Sequence, residues 1–221
     1  VTVVDTNAPE IRITGLNKVT HEAGTTYRDE GATATDLGSS VNVTTSGTVD
    51  ASTVGSYTIT YSAADGANTA TATRTVNVVD TIGPVITLNG QSSVVHEAGG
   101  EYKDLGASAV DLLDGEVKVE ASGEILVSSP GDYVISYTAV DSSGNKAKNL
   151  ERAVKVVDTT APVITLMGSS VMNIEVGQAY VELGSNAKDS LDGDITESVK
   201  VTGTVNANQV GEYQLRYNVS D

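Results

Sequence analysis

The sequence predicts an all-β protein built of tandem β-sandwiches: three repeats of about 75–78 residues, the last one truncated. Three observations predict it. A set of landmarks returns twice in step, so that Asp5, Asp80 and Asp158 lie 75 and 78 residues apart. Between landmarks, apolar residues alternate with polar ones at period two, as half-buried strands require. Glycine, asparagine, aspartate and serine then punctuate the chain every ~8–12 residues, the spacing of short strands joined by turns.

The landmarks recur as whole segments, and such periodicity decides the organisation. Val3-Val4-Asp5-Thr6-Asn7-Ala8-Pro9 returns around Asp80 to Pro84 and again around Asp158 to Pro162. His21-Glu22-Ala23-Gly24 matches His96-Glu97-Ala98-Gly99 and Ile174-Glu175-Val176-Gly177. Tyr27-x-Asp29-x-Gly31 matches Tyr102-x-Asp104-x-Gly106 and Tyr180-x-Glu182-x-Gly184. All nine tyrosines occupy three equivalent positions per repeat. The expected boundaries are 1–4, the last strand of a preceding repeat; 5–79, 80–157 and 158–221, the third repeat lacking its final strand. In that reading the chain is a window on a longer array.

In the second repeat the pattern places strands at Val85–Leu88 (A), Val94–Glu97 (A′), Gly106–Val110 (B), Glu116–Glu120 (C), Glu124–Val127 (E-like), Tyr133–Val140 (F) and Lys148–Val156 (G). Tyr133, Ile135, Tyr137 and Ala139 share one face of F, as Tyr213, Leu215, Tyr217 and Val219 do in the third repeat. No segment carries a 3.6-residue apolar stripe, so no helix is expected. Seven short strands per repeat suggest an immunoglobulin-like sandwich, and Gly-x-Tyr at the start of F suits a tyrosine corner. Ile135 stands where an inter-sheet disulfide would otherwise anchor. Arg74 and Arg152 fall on the apolar parity of G, which the pattern leaves unexplained beyond a paired position at the sandwich end.

These motifs together carry a resemblance: Asp-Thr-x-x-Pro, Glu-x-Gly-x-x-Tyr-x-(Asp/Glu)-x-Gly, Ala-x-Asp-x-x-Asp-Gly, Gly-x-Tyr-x-x-x-Tyr and Asp-x-x-Gly-Asn. The chain resembles the bacterial Ig-like tandem repeats of surface proteins and adhesins, a module also found in pesticidal crystal proteins. The first repeat departs from the pattern, having no Asp-Gly pair after Asp36 and a shortened turn at Asp65. The resemblance implies an extracellular module, on a bacterial surface or secreted, that spaces or binds and has no catalysis of its own.

Composition narrows the chemistry. The 221 residues include no cysteine, tryptophan or phenylalanine, and 29 acids face 13 bases for a net charge of -16. Disulfide scaffolds, thiolate sites and thiol nucleophiles are excluded. Nucleic acid is not expected as a partner, since phosphate binding needs a basic surface. No apolar run is long enough for a membrane helix. Only two histidines are present, and His-Glu-Ala-Gly lacks the second histidine of a metalloprotease helix. The chain is therefore not expected to be an enzyme.

The acids are not spread evenly. Immunoglobulin topology brings the start of A, the B–C turn and the F–G turn to one pole of each repeat. That pole gathers Asp80, Asp111, Asp114, Glu116 and Asp141 in the second repeat, and Asp158, Asp189, Asp192, Asp194 and Asp221 in the third. The first repeat keeps only Asp5, Asp36 and Asp65 and is expected to bind weakly or not at all. Clustered carboxylates repel one another, and a hard divalent cation with oxygen ligands relieves that repulsion, so these residues are candidate calcium ligands at the domain junctions. The competing reading is that each aspartate simply builds its own turn.

Three functions fit. The first is a structural spacer of a surface protein or adhesin, stiffened by calcium. The second is an accessory module of a secreted enzyme or toxin, binding a host receptor or polysaccharide. The third is a filament subunit, self-associating by donation of the strand Val1–Val4 to the third repeat of a second copy.

Overall fold

A computed structural model describes residues 1–221. In the first repeat the strands are β1 (Glu10–Ile13), β2 (Lys18–Glu22), β3 (Ala32–Asp36), β4 (Ser39–Val41), β5 (Val43–Ser46), β6 (Gly55–Ala64) and β7 (Thr69–Val79). They form two sheets, ordered β1-β3-β4 and β2-β7-β6-β5. β6 and β7 pair antiparallel from Gly55↔Val78 to Ala64↔Thr69, whereas β2 runs parallel to β7. The strand expected as C is one extended stretch that changes sheet at Asn42: Val41 still pairs with β3, and Val43 already pairs with β6. Such a crossing ties the two layers at a corner.

The second repeat has the same plan. Its strands are β8 (Val85–Leu88), β9 (Ser93–Glu97), β10 (Ala107–Asp111), β11 (Gly115–Val117), β12 (Val119–Ser122), β13 (Gly131–Ala139) and β14 (Leu150–Val157). The sheets are ordered β11-β10-β8 and β12-β13-β14-β9. One expected strand is corrected: Glu124–Val127 is not extended into a ladder. Gly123 turns the chain at φ 124°, and Leu126 accepts a turn hydrogen bond from Ser129 N–H at 3.0 Å. The third repeat has β15 (Val163–Leu166), β16 (Ser185–Asp189), β17 (Gly193–Asp194), β18 (Lys200–Thr202) and β19 (Arg216–Asn218), plus a single 3₁₀ turn, Thr196–Ser198, where the pattern predicts no helix. The fold is thus the all-β tandem immunoglobulin-like sandwich that the pattern predicts. By contact density the chain forms two compact units. One comprises Val1–Asn89, Ala107–Glu120 and Tyr137–Leu150; the other comprises Gly90–Gly106, Ala121–Ser136 and Glu151–Asp221.

The first repeat's core is small: Ala23, Ile59, Tyr61, Val76 and Val78, with Ile11, Ile13, Val19 and Ala32 packed against it. Through it runs a polar knot that explains the misplaced arginine. Arg74 is 1 % exposed. Its guanidinium pairs with Asp29 and donates to the carbonyls of Thr14 and Leu16. Asp29 also accepts from the Tyr61 hydroxyl at 2.8 Å, the Tyr27 hydroxyl at 3.3 Å and Gly31 N–H at 3.0 Å. Burial opposes the charge on Asp29, but Tyr61 and Arg74 outweigh burial and hold its carboxyl below the usual range. Burial, reinforced by Asp29, pushes the Tyr61 hydroxyl up to about 12. In the second repeat Arg152 pairs with Asp104 in the same way and donates to the carbonyl of Gln91.

The remaining tyrosine of each repeat closes a corner. Tyr57 donates to the Thr53 carbonyl at 2.9 Å, Tyr133 to Ser129 at 2.8 Å and Tyr213 to Gln209 at 3.1 Å. The hydroxyl reaching back to upstream backbone is the tyrosine-corner bond. His21 and His96 lie in β2 and β9, edge-on to Tyr27 and Tyr102 at 5.1 and 5.3 Å between ring centroids.

Breaking one partner of a buried pair leaves the other charge uncompensated. Arg74→Ala should therefore cost the first repeat about 3–5 kcal/mol. Urea unfolding followed by tyrosine fluorescence measures it. The double change Arg74→Met with Asp29→Leu should cost less than Arg74→Ala alone.

Candidate metal centre at the repeat poles

In the second repeat the three carboxylates reach one point by different routes. Asp80 comes just after the end of β7, Asp111 closes β10, and Asp141 comes just after β13. Two of them do local turn work, Asp111 with one carboxylate oxygen and Asp141 with both. Asp111 Oδ1 accepts from Leu113 and Asp114 N–H at 2.8 and 3.0 Å. Asp141 accepts Asn145 N–H at 2.7 Å and the Asn145 amide at 2.9 Å, and the same amide donates to the Asp80 carbonyl at 3.2 Å. One oxygen from each of Asp80, Asp111 and Asp141 lies within 4.8 Å of the others. Asp111 is 4 % exposed and Asp141 7 %. Asp80 Oδ2 and Asp111 Oδ2 are buried without a hydrogen-bond partner.

The third repeat has the same arrangement with Asp158, Asp189 and Asp221, again within 4.8 Å. Asp189 Oδ1 accepts from Leu191 and Asp192 N–H at 2.7 and 3.0 Å, while its Oδ2 and Asp158 Oδ1 are buried and unpartnered. Burial, and after it the charges of Asp189 and Asp221, push the Asp158 carboxyl up. The N–H donors of the turn pull Asp189 down. Asp111 and Asp189 thus serve the turn with Oδ1 alone and keep Oδ2 buried and unpartnered.

The five-acid poles expected from sequence reduce to these triads. Asp114 is exposed and accepts from Ser142 N–H at 2.6 Å and its hydroxyl at 2.8 Å. Asp194 accepts from Thr196 N–H at 3.0 Å. Glu116 and Asp192 are exposed. Strand alternation explains Glu116: it stands opposite Val110 in the ladder, on the outward parity. Asp36, Asp65 and Asp5 of the first repeat also come within 4.8 Å of one another, although the turn after Asp36 has no Asp-Gly pair. The pair shapes the turn, but the triad does not need it. Burial, then Asp5 and Asp65, raise the Asp36 carboxyl.

Sequence reading missed a second device beside the triads. Glu22, at the end of β2, accepts from Thr81 N–H and hydroxyl at 2.8 Å each and from Ile82 N–H at 3.2 Å. Glu97, at the end of β9, accepts from Thr159 N–H and hydroxyl at 2.7 and 2.8 Å, and from Thr160 N–H and hydroxyl at 3.0 and 2.8 Å. The glutamate of one repeat thus clamps the Asp-Thr linker into the next. The signal was present as the recurring Glu-x-Gly and Asp-Thr pairs. The glycine two residues on matters too: Gly99 has φ 78°, and a Cβ there would lie 2.5 Å from the Ser190 carbonyl oxygen in the B–C turn of the next repeat.

Comparison with known proteins adds family evidence. The profile described as bacterial surface protein, Ig-like domain matches residues 11–78, 86–156 and 164–221. The pesticidal crystal protein Cry22Aa of Bacillus thuringiensis is 29% identical over 129 residues, 54% of this chain and 17% of that protein. Hyalin of Strongylocentrotus purpuratus is 32% identical over 146 residues, 59% of this chain and 12% of that protein. The chain therefore spans less than a fifth of either relative. Among solved structures, the lipoprotein BT2262 from Bacteroides thetaiotaomicron is 16% identical, with 71% of this chain and 85% of that chain covered at a TM-score of 0.31.

The Thr159 N–H, and after it the Thr159 and Thr160 hydroxyls, hold the Glu97 carboxyl down at about 2 against an ordinary 4.5. A depressed carboxyl contributes fully above its unfolded value and is lost as pH falls through the folded one. Hydrogen exchange at Thr159 and Thr160 should thus stay protected at pH 4 and lose protection towards pH 2. Glu97→Ala should expose both amides at pH 7.

Proposed function

Because the chain belongs to the bacterial surface protein Ig-like domain family, we propose that it is a non-catalytic extracellular spacer whose repeats are stiffened by calcium at their poles. The coarse part comes with membership: the chain is an extracellular structural or accessory module. No helix is long and apolar enough to cross a membrane. The repeats divide at the linkers, near 79/80 and 157/158, where the triads also sit.

One observation supports the cation above all. At each of the second and third poles, two carboxylate oxygens are buried with no hydrogen-bond partner: Asp80 Oδ2 and Asp111 Oδ2, then Asp158 Oδ1 and Asp189 Oδ2. Unpaired buried charge is costly, and coordination to a metal is one of the few ways to relieve it. The donor set is oxygen only, with no histidine or cysteine in any triad, and that suits a hard cation rather than zinc or copper. Asp80, Asp111 and Asp141 would hold one ion; Asp158, Asp189 and Asp221 would hold the other. A bound calcium supplies positive charge and takes further oxygen ligands. The first repeat's triad has no buried orphan oxygen, which fits weaker binding there.

Stiffness depends on where each ligand originates. Asp80 and Asp158 belong to the linkers, and the other ligands belong to turns of the repeat after each linker. An ion holding both leaves the linker little freedom. Beside it, the glutamate clamp ties the same linker to the repeat before. The two devices together oppose bending on both sides of each junction.

Calcium should raise the melting temperature by roughly 10 °C or more when present at about a hundredfold over its dissociation constant, and chelator should reverse the rise. Asp111→Asn and Asp189→Asn should each diminish the shift, since asparagine keeps the oxygen that makes the turn but removes the charge. Solution scattering should show a longer particle with calcium than with chelator. An unchanged melting temperature and length would exclude the role.

A further inference from the structure

At the first joint Glu22, Ala23 and Gly24 follow one another, and each meets a different part of the second pole. Glu22 accepts from Thr81 and Ile82 N–H at 2.8 and 3.2 Å. Ala23 N–H donates to the Val79 carbonyl at 2.7 Å. Asp80 is therefore fixed at both of its neighbours by consecutive residues of the first repeat. Gly24, at φ 74°, lies close against the turn between β10 and β11: a Cβ there would stand 2.6 Å from the Leu112 carbonyl oxygen. Only glycine admits that approach in that conformation.

The turn so placed carries the second carboxylate. Asp111 Oδ1 accepts Leu113 N–H at 2.8 Å, and the Leu113 side chain packs against the first repeat's core. The Glu-Ala-Gly turn is anchored in the same core, since Ala23 is 1 % exposed and Gly24 N–H donates to the Ala51 carbonyl at 2.9 Å. The Asn145 amide then joins the Asp80 backbone to the third carboxylate, Asp141. Two of the three carboxylates thus take their place from the repeat before them. The second joint has the same plan. Ala98 N–H donates to the Val157 carbonyl at 2.7 Å, Glu97 accepts from Thr159 and Thr160, and Gly99 closes on Ser190, the residue after Asp189.

On the calcium reading of the poles, on which this depends, we propose that Glu22 and Leu113 are positioning residues for the cation at Asp80, Asp111 and Asp141, so that the first repeat sets the affinity of the second pole. Neither side chain belongs to the triad itself. Glu22 holds the linker backbone and Leu113 holds the turn. Three carboxylates within 4.8 Å of one another repel before an ion arrives. A frame that already fixes their backbone leaves less to be ordered on binding, and this raises affinity without adding a ligand. The coupling is reciprocal: the factor by which the closed clamp strengthens calcium is the factor by which calcium favours the closed clamp. An opened joint releases its ion, and a loaded joint resists opening.

The test is titration of calcium chloride into the 221-residue chain, followed by amide chemical shifts that read each pole separately. Asp114 and Asn145 N–H report the second pole, and Leu191 and Asp192 N–H report the third. Glu22→Ala should weaken calcium at the second pole about tenfold or more and leave the third pole unchanged. Glu22 also carries charge, so a second variant isolates position. Leu113→Ala alters no charge and keeps the N–H that Asp111 accepts; it should weaken the second pole too, and Leu113→Met should restore it. Calcium should in turn slow amide exchange at Thr81 and Ile82 in the unaltered chain. Binding at the second pole that Leu113→Ala leaves unchanged, or a loss equal at both poles, overturns the positioning role while the calcium reading stands. The absence of a saturable shift at either pole of the unaltered chain overturns both.

Discussion

A sandwich of seventy-odd residues without cysteine, phenylalanine or tryptophan has little with which to hold two sheets together. The guanidinium of Arg74 supplies what apolar burial does not. It reaches from the four-stranded sheet to the Thr14 and Leu16 carbonyls and to Asp29 on the connections between the sheets. Tyr61 joins from its own strand. A charge buried this deeply is tolerable only when every donor is used, and its geometry then fixes which strands lie side by side. Arg152 and Asp104 repeat the solution. The core around it can afterwards be built of valine and alanine, because it no longer has to specify register alone.

That economy shapes the poles. With the sheets registered from within, the turns at one end are free to carry acids, and they carry them where repeats meet. At the second and third poles Asp111 and Asp189 make their turns with one carboxylate oxygen each. The other oxygen is left facing its neighbours in a confined space. The buried carboxylate oxygens without hydrogen-bond partners thus coincide with the joints. The glutamate clamps act on the same linkers and make fully formed hydrogen-bond networks. One half of each joint is therefore satisfied by the protein itself, while in the other Asp80 Oδ2, Asp111 Oδ2, Asp158 Oδ1 and Asp189 Oδ2 are buried without hydrogen-bond partners.

Much of this was legible in the chain. The repeat, the strand positions A, A′, B, F and G, and the convergence of Asp80 with Asp111 and Asp141 all follow from period-two alternation and topology. What was not legible depended on side-chain direction. Glu116 belongs to the pole by sequence position but faces outward by strand parity. Glu124–Val127 has strand composition, yet Gly123 and the turn at Leu126 remove it from the ladder. The meaning of Arg74 was hidden because its partner, Asp29, is forty-five residues away and in a connection rather than a strand. Glu22 and Glu97 were visible as recurring residues, but their partners lie in the next repeat, and a reading confined to one repeat at a time does not look there.

The clamp has a consequence for how such chains can grow. Each repeat carries both halves of the joint: Glu-x-Gly to hold the linker into the next repeat, and Asp-Thr at its own start to be held by the previous one. Beside the first of these joints, Leu113 of the second repeat packs against the first repeat's core. A copying event that inserts or removes a whole repeat therefore keeps a Glu-x-Gly and an Asp-Thr half at each remaining joint. Array length becomes a quantity that heredity can alter without redesigning an interface.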